Sequence, residues 1–157
     1  MDDFSYEIIG TLAVVGFLFL GLSEWAKYRR FKRYIRLVAD IRLHPAQKQG
    51  QHVVTGSLGL TMSQAEPGVK GLAVLSLSFR HDAFSIPTAD KLYFKADSMP
   101  YLSVGFRIRR HDLRPLRGKR VSIRVKGRLH FKDGGQRWVK ATIAVGIPLE
   151  EAMPDAH

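Results

Sequence analysis

The sequence predicts an all-β fold, a small barrel of five or six short strands, preceded by one N-terminal helix that crosses a membrane and continues beyond it. Three observations carry this prediction. An unbroken run of sixteen uncharged residues separates Glu7 from Glu24. After Gln51 the spacing of apolar residues changes from about 3.6 to 2, the change from helix to strand periodicity. Clusters of Gly, Pro and Asp then divide the remaining chain into short segments, as turns divide strands. The 157 residues suffice for one domain with an appendage.

The appendage comes first. Residues 8–23 are mostly Leu, Val, Phe, Ile, Ala and Gly. As a helix they span about 24 Å, against a hydrocarbon core of about 30 Å. Phe4, Tyr6, Trp25 and Tyr28 flank the run, where interfacial aromatics belong. A core helix of a soluble protein shows a polar stripe, and this run is apolar on all sides. A secretory signal has a basic start, whereas Asp2, Asp3 and Glu7 make this one acidic, and no small-x-small cleavage pattern stands near Ser23. Lys27, Arg29, Arg30, Lys32, Arg33 and Arg36 crowd the other flank. The positive-inside bias places them, and the body of the chain, in the cytoplasm, as a single-pass protein of the inner membrane. Lys27, Arg29, Arg30, Lys32 and Arg33 also suit anionic lipid headgroups. Tyr28, Phe31, Ile35 and Val38 keep helical spacing to about Leu43, and His44-Pro45 ends it. The expected organisation is an anchor and juxtamembrane helix over 1–45, a linker over 46–51, a barrel over 52–149 and a frayed tail over 150–157. A fragment starting near Ala46 is then expected to be a soluble domain.

Candidate strands cover residues 52–62, 71–81, 91–96, 102–110, 120–132 and 137–147. Glu66-Pro67-Gly68, Ile86-Pro87, Met99-Pro100, Arg114-Pro115 with Gly118, and Asp133-Gly134-Gly135 separate them. The last is a hairpin signal between two strong strands. Gly56-Ser-Leu-Gly59 lacks the lysine of a phosphate loop and reads as a bulged strand. Alternation assigns the faces. Val121, Ile123, Val125, Leu129 and Phe131 point inward, with Ser122, Arg124, Lys126, Arg128 and His130 outward. Across the hairpin Val139, Ala141, Ile143 and Val145 point inward, leaving Trp138, Lys140 and Thr142 on the other face. Arg107 and Arg109 alternate with Val104, Phe106 and Ile108, and Lys91, Tyr93 and Lys95 share an outward face.

Composition narrows the chemistry. Without cysteine there is no disulfide framework, thiolate zinc site, iron–sulfur cluster or cysteine nucleophile. The formal net charge of +11 points to an anionic partner. It sits in two tracts, a net of +6 over residues 27–43 and a net of +11 over residues 105–140, while residues 1–26 hold four acids and no base. The anchor explains the first tract. The second lies along one side of the strands. The six histidines are scattered, with no His-x-x-x-His pair and no carboxylate cluster, so neither a metal, a cofactor nor catalysis is expected. Arg80-His81-Asp82 and Arg110-His111-Asp112 sit at strand ends, where polar residues cap turns.

One resemblance sharpens the reading. The stretch Leu116-Arg-Gly-Lys-Arg-Val-Ser-Ile-Arg-Val-Lys-Gly-Arg-Leu129, the Lys-Asp-Gly-Gly-Gln hairpin and Arg137-Trp-Val-Lys-Ala-Thr-Ile-Ala-Val145 resemble the last two strands of an OB-fold. They are similar to bacterial single-stranded-DNA-binding proteins, in which a Gly-Lys/Asp-x-Val-x-Val-x-Gly-x-Leu strand leads to an Asp-Gly hairpin and a Thr-x-Val strand. Residues 53–58 and 73–79 resemble that family's first two strands more weakly. The resemblance implies an OB-like barrel and a binding face, and no catalytic residue. The anchor, and the lack of a helix between the third and fourth strands, depart from the family.

The expected function is a membrane-anchored module that binds nucleic acid, single-stranded DNA foremost. Arg107, Arg109, Arg124, Lys126, Arg128 and Lys140 are the candidates for the phosphates, and Trp138 for stacking on a base. The alternative is a structural component of an envelope or secretion assembly whose barrel binds a protein. For Trp138 the competing role is to cover a barrel edge or pack on the juxtamembrane helix.

Overall fold

The computed structural model of the chain describes residues 3–44, 52–87, 92–98 and 101–149, so the expected linker and tail lie outside it. Helix α1 (Asp3–Tyr34) is 32 residues long, about 48 Å at 1.5 Å per residue. Among the described residues it supplies the one helix long and apolar enough to cross a membrane. Between Leu12 and Leu22 its large apolar side chains are all 56–76% exposed. Nothing in the rest of the described chain covers them.

The last three turns of α1 behave differently. Phe31 is only 6% exposed and belongs to the core. Glu24 accepts hydrogen bonds from Lys27 Nζ at 2.8 Å and from Lys140 of a distant strand. Arg137 donates to the Tyr34 hydroxyl at 3.4 Å, and the Tyr34 ring meets Phe131 edge-on at 5.1 Å.

The helix then stops, nine residues short of the expected end. Strand β1 (Ile35–Leu43) follows Tyr34 with no intervening loop. The cause is legible in the burial. Ile35, Leu37, Ile41 and Leu43 are buried, while Arg36, Val38 and Arg42 are exposed, a period of two. The helical spacing of Tyr28, Phe31, Ile35 and Val38 is therefore a coincidence, and Val38 is 49% exposed. β-Branched side chains at positions 35, 38 and 41 fit a pleated strand better than a helix.

Seven further strands follow: β2 (Val53–Ala65), β3 (Val69–Phe79), β4 (Phe84–Ser85), β5 (Leu92–Lys95), β6 (Tyr101–Arg109), β7 (Arg120–Phe131) and β8 (Gln136–Gly146). A four-residue helix α2 (Arg110–Leu113) and a 3-10 turn lie between β6 and β7. All strand pairs are antiparallel and form two four-stranded sheets, ordered β1-β2-β6-β4 and β5-β3-β7-β8. The expected strands are present as β2, β3, β5, β6, β7 and β8, and β1 and β4 are additional. No strand pairing joins the two sheets among the described residues. In place of the expected single barrel the chain shows two sheets sharing one core, a buried cluster that includes Leu58, Leu60, Phe106 and Ile108 of the first and Leu72, Ile123, Val125 and Leu129 of the second. Phe79, Phe84 and Phe106 carry the contact from sheet to sheet, with Phe79 stacked on Phe84 at 4.2 Å and edge-on to Phe106 at 5.4 Å.

Two glycine segments show how the chain fits. The stretch Gly56–Gly59 is not bulged, because β2 stays in register with β1 and β6 throughout it. A side chain at Gly56 would collide with the Phe106 ring and the Arg42 carbonyl, so the glycine admits a close neighbour rather than an extra residue. Gly134 sits in the β7–β8 hairpin with φ +87°, in the left-handed region that the turn requires. Asp133 Oδ1 accepts a bond from the Gly135 N–H at 2.8 Å and fixes that turn.

Because β1 and Phe31 belong to the core, the folded unit includes the end of the helix and does not start at Ala46. A chain starting at Ala46 should fail to fold, and one starting at Glu24 should give a cooperative unfolding transition by circular dichroism. Phe31→Ala in the full chain should cost about 3 kcal/mol, as for other buried phenylalanines, read as a lower midpoint in denaturant titration.

Candidate nucleic-acid interface

The outer face of the second sheet is built in rows. The hairpin register sets Arg128 opposite Trp138, Lys126 opposite Lys140 and Arg124 opposite Thr142. On the other side of β7, the partners of Arg128, Lys126 and Arg124 are Ala73, Ser76 and Ser78 of β3. Beyond β3, Tyr93 of β5 pairs with Ala73 and Lys95 with Gly71. The alternation read from the sequence is therefore the alternation in the fold. Val139, Ala141 and Val145 are buried, and Trp138 is 48% exposed on the basic side.

The charge of this face is one-sided. The four strands contain Lys70, Lys95, Arg120, Arg124, Lys126, Arg128, Arg137 and Lys140, and not one Asp or Glu. Arg128 lays its guanidinium over the Trp138 ring, 4.6 Å from the centroid, and donates to Gln136 Oε1 at 3.1 Å. The Nε–H groups of Arg124 and Arg128 are shielded and have no protein acceptor. Buried donors of this kind seek an acceptor. Carboxylates reach this sheet from outside its strands: Glu24 of the helix holds Lys140, and Asp97, just past β5, lies 4.0 Å from Lys132, just past β7.

Of the residues expected to bind nucleic acid, Arg124, Lys126, Arg128 and Trp138 are brought together. Lys140 shares their face but is engaged by Glu24. Arg107 and Arg109 are elsewhere, because β6 lies in the first sheet between β2 and β4. Arg107 stands between Thr55 and Ser85, and Arg109 donates to Asp112 at 2.8 Å. The expected lipid set divides as well. Lys27 turns to Glu24, whereas Arg29 covers Trp25 at 4.5 Å, Lys32 covers Tyr28 at 4.8 Å and Arg33 covers Tyr34 at 5.6 Å. Arg30 is exposed.

Sequence reasoning missed the floor of the site. On β3 Ala73, Ser76 and Ser78 are small and lie on the Tyr93 side of the arginine row, while Leu75, at a register shift between them, is 43% exposed. Two strand spacings make that shallow trough about 10 Å wide. Its signal was the small-residue pattern of β3, which becomes informative only once β3 is known to lie between β5 and β7. At one end the Tyr93 ring meets His130 edge-on at 5.7 Å. The two Arg-His-Asp echoes are local: His81 Nδ1 accepts from the Ala83 N–H at 3.3 Å, and His111 lies 3.1 Å from Asp112. Among the described residues no three His, Asp or Glu side chains are grouped to hold a metal.

The face offers cations in a row, an aromatic ring at its edge and a trough between. Compared with known proteins, the chain matches no protein-family model and no curated sequence.

Proposed function

We propose that the chain is a membrane-anchored module that binds single-stranded nucleic acid, single-stranded DNA foremost, on the outer face of the β5-β3-β7-β8 sheet. The observation that carries this reading is the register of Arg124, Lys126 and Arg128 with Trp138 on a sheet that has no acid in any strand. Lysine and arginine at phosphate spacing displace condensed counterions, and a half-exposed indole stacks on a base whatever its identity. A duplex hides its base faces, so an aromatic of this kind favours a single strand. The likeness of residues 116–145 to the strands of single-stranded-DNA-binding OB domains supports the same choice. Anchorage follows from the exposed apolar helix, and the bases after Glu24 favour a cytoplasmic position for the sheets.

Changing Arg124, Lys126 and Arg128 together to Ser should leave folding intact, since none enters the core. Affinity for oligo-dT should fall at every sequence tested, and the log–log salt slope should shrink by about 0.7 for each phosphate no longer neutralised. Unchanged affinity would move the partner to another surface and favour a protein ligand. In a Trp25→Phe background the remaining indole is Trp138. Oligo-dT should quench its fluorescence, and Trp138→Ala should weaken binding roughly five- to a hundred-fold. Emission indifferent to saturating oligonucleotide would remove the ring from the site.

Full-length protein should stay in the membrane pellet after high-salt and alkaline washes. A reporter fused after residue 157 should be active only in its cytoplasmic form. Release of the protein without detergent would refute the anchor, and a periplasm-only signal would reverse the orientation.

A further inference from the structure

A cleft runs between the last turns of α1 and the two edge strands β1 and β8. It has two contiguous lobes, of about 530 and 340 Å³, that share Lys32, Ile35, Arg36 and Gln64. Volumes of this order hold small ligands. The larger lobe is apolar at its base, where Phe31, Ile35, Leu37, Ala141 and Ile143 line it. The smaller lobe is basic, with Lys32, Arg33 and Arg36 against one acid, Glu66. A register shift between Arg36 and Leu37 bends the strand at this point. An open cleft with an apolar floor and a cationic rim matches an amphiphile with an apolar chain and an anionic head. The helix wall of the cleft lies on the same helix as the apolar segment, one to two turns beyond its end, so a source of such molecules is the bilayer itself.

We propose that the cleft holds one acyl chain of an anionic phospholipid, with the phosphate between Lys32 and Arg36. The head then lies toward Arg36 and the chain toward Tyr28, the direction a lipid already has in the leaflet that faces the sheets. The proposal rests on the anchor reading and uses none of Arg124, Lys126, Arg128 and Trp138, although Thr142, which lines the larger lobe, pairs across the hairpin with Arg124.

The test is native mass spectrometry of the full chain released from neutral maltoside micelles containing equal phosphatidylglycerol and phosphatidylcholine. Wild type should retain one phosphatidylglycerol. Ala144→Trp puts a large ring into the cleft from an exposed position and should abolish retention. The double change Lys32→Ala with Arg36→Ala should lower retention at least about tenfold, since two charge-assisted hydrogen bonds to the phosphate disappear. Thermal unfolding of each variant shows that its fold is kept. Equal retention by wild type and Ala144→Trp would mean that the lipid merely surrounds the helix, and would overturn the proposal. Equal retention of both lipids, unaffected by the double change, would overturn the phosphate assignment. Displacement by inorganic phosphate alone would overturn the acyl chain. A protein that holds no lipid yet stays in the membrane pellet would refute the cleft and leave the anchor standing.

Discussion

The seating of the last three turns of α1 between β1 and β8 is the constraint on which the rest of the structure depends. These two strands are the edges of different sheets, and the helix puts a buried side chain, Phe31, into the core they share. Burying such a ring is worth roughly 1.5–3 kcal/mol, while partly exposed ion pairs like those of Glu24 contribute about 0–1 kcal/mol. Burial therefore holds the helix, and the bonds from Lys27 and Lys140 to Glu24 choose its rotation about its own axis. Since α1 is one uninterrupted helix, a fixed C-terminal end also fixes where the apolar segment points.

That seating gives the basic sheet its position. Glu24 is the first charge after the apolar run, and the lysine it holds stands on the same face as Arg128 and Trp138. The row of cations therefore begins where the apolar segment ends. A sheet with eight bases and no acid in its strands repels itself. An ordinary solvated face mixes the two signs, and the other sheet does so with Asp40 beside Arg42 at 3.6 Å. A cation–π contact such as that of Arg128 on Trp138 returns only about 0.5–1 kcal/mol. Local rules broken in this way are the physical ground for proposing a ligand on this face.

How much of this could be read from the residues depended on which force decided each element. Strands β7 and β8 were legible in their alternation and to within one residue at their ends. Strict alternation, a Gly-Gly hairpin and one polar face leave a single register, because a slip by one would bury Arg124 and expose Ile123. Strand β1 was not legible. Its apolar positions satisfy helical and strand spacing equally between Phe31 and Ile35, and the deciding factor is a pairing with β2, a strand distant in sequence. Arg107 and Arg109 went astray for a related reason. Alternation tells which way a side chain points from its own sheet, but sheet membership is set by the order of strands, which the local pattern does not carry.

The central claim is that helix and sheets form one body, with the basic face held beside the apolar segment. The chain has no cysteine, so two introduced ones can be labelled without background. Spin labels at Arg29→Cys and Lys126→Cys occupy exposed positions on the helix and on the basic row. The pulsed dipolar distance between them, measured in lipid nanodiscs, should be a single narrow distribution that broadens when Phe31 is changed to Ala. A broad or multiple distribution in the otherwise unaltered protein would mean that the sheets swing freely on the helix, and would contradict the claim.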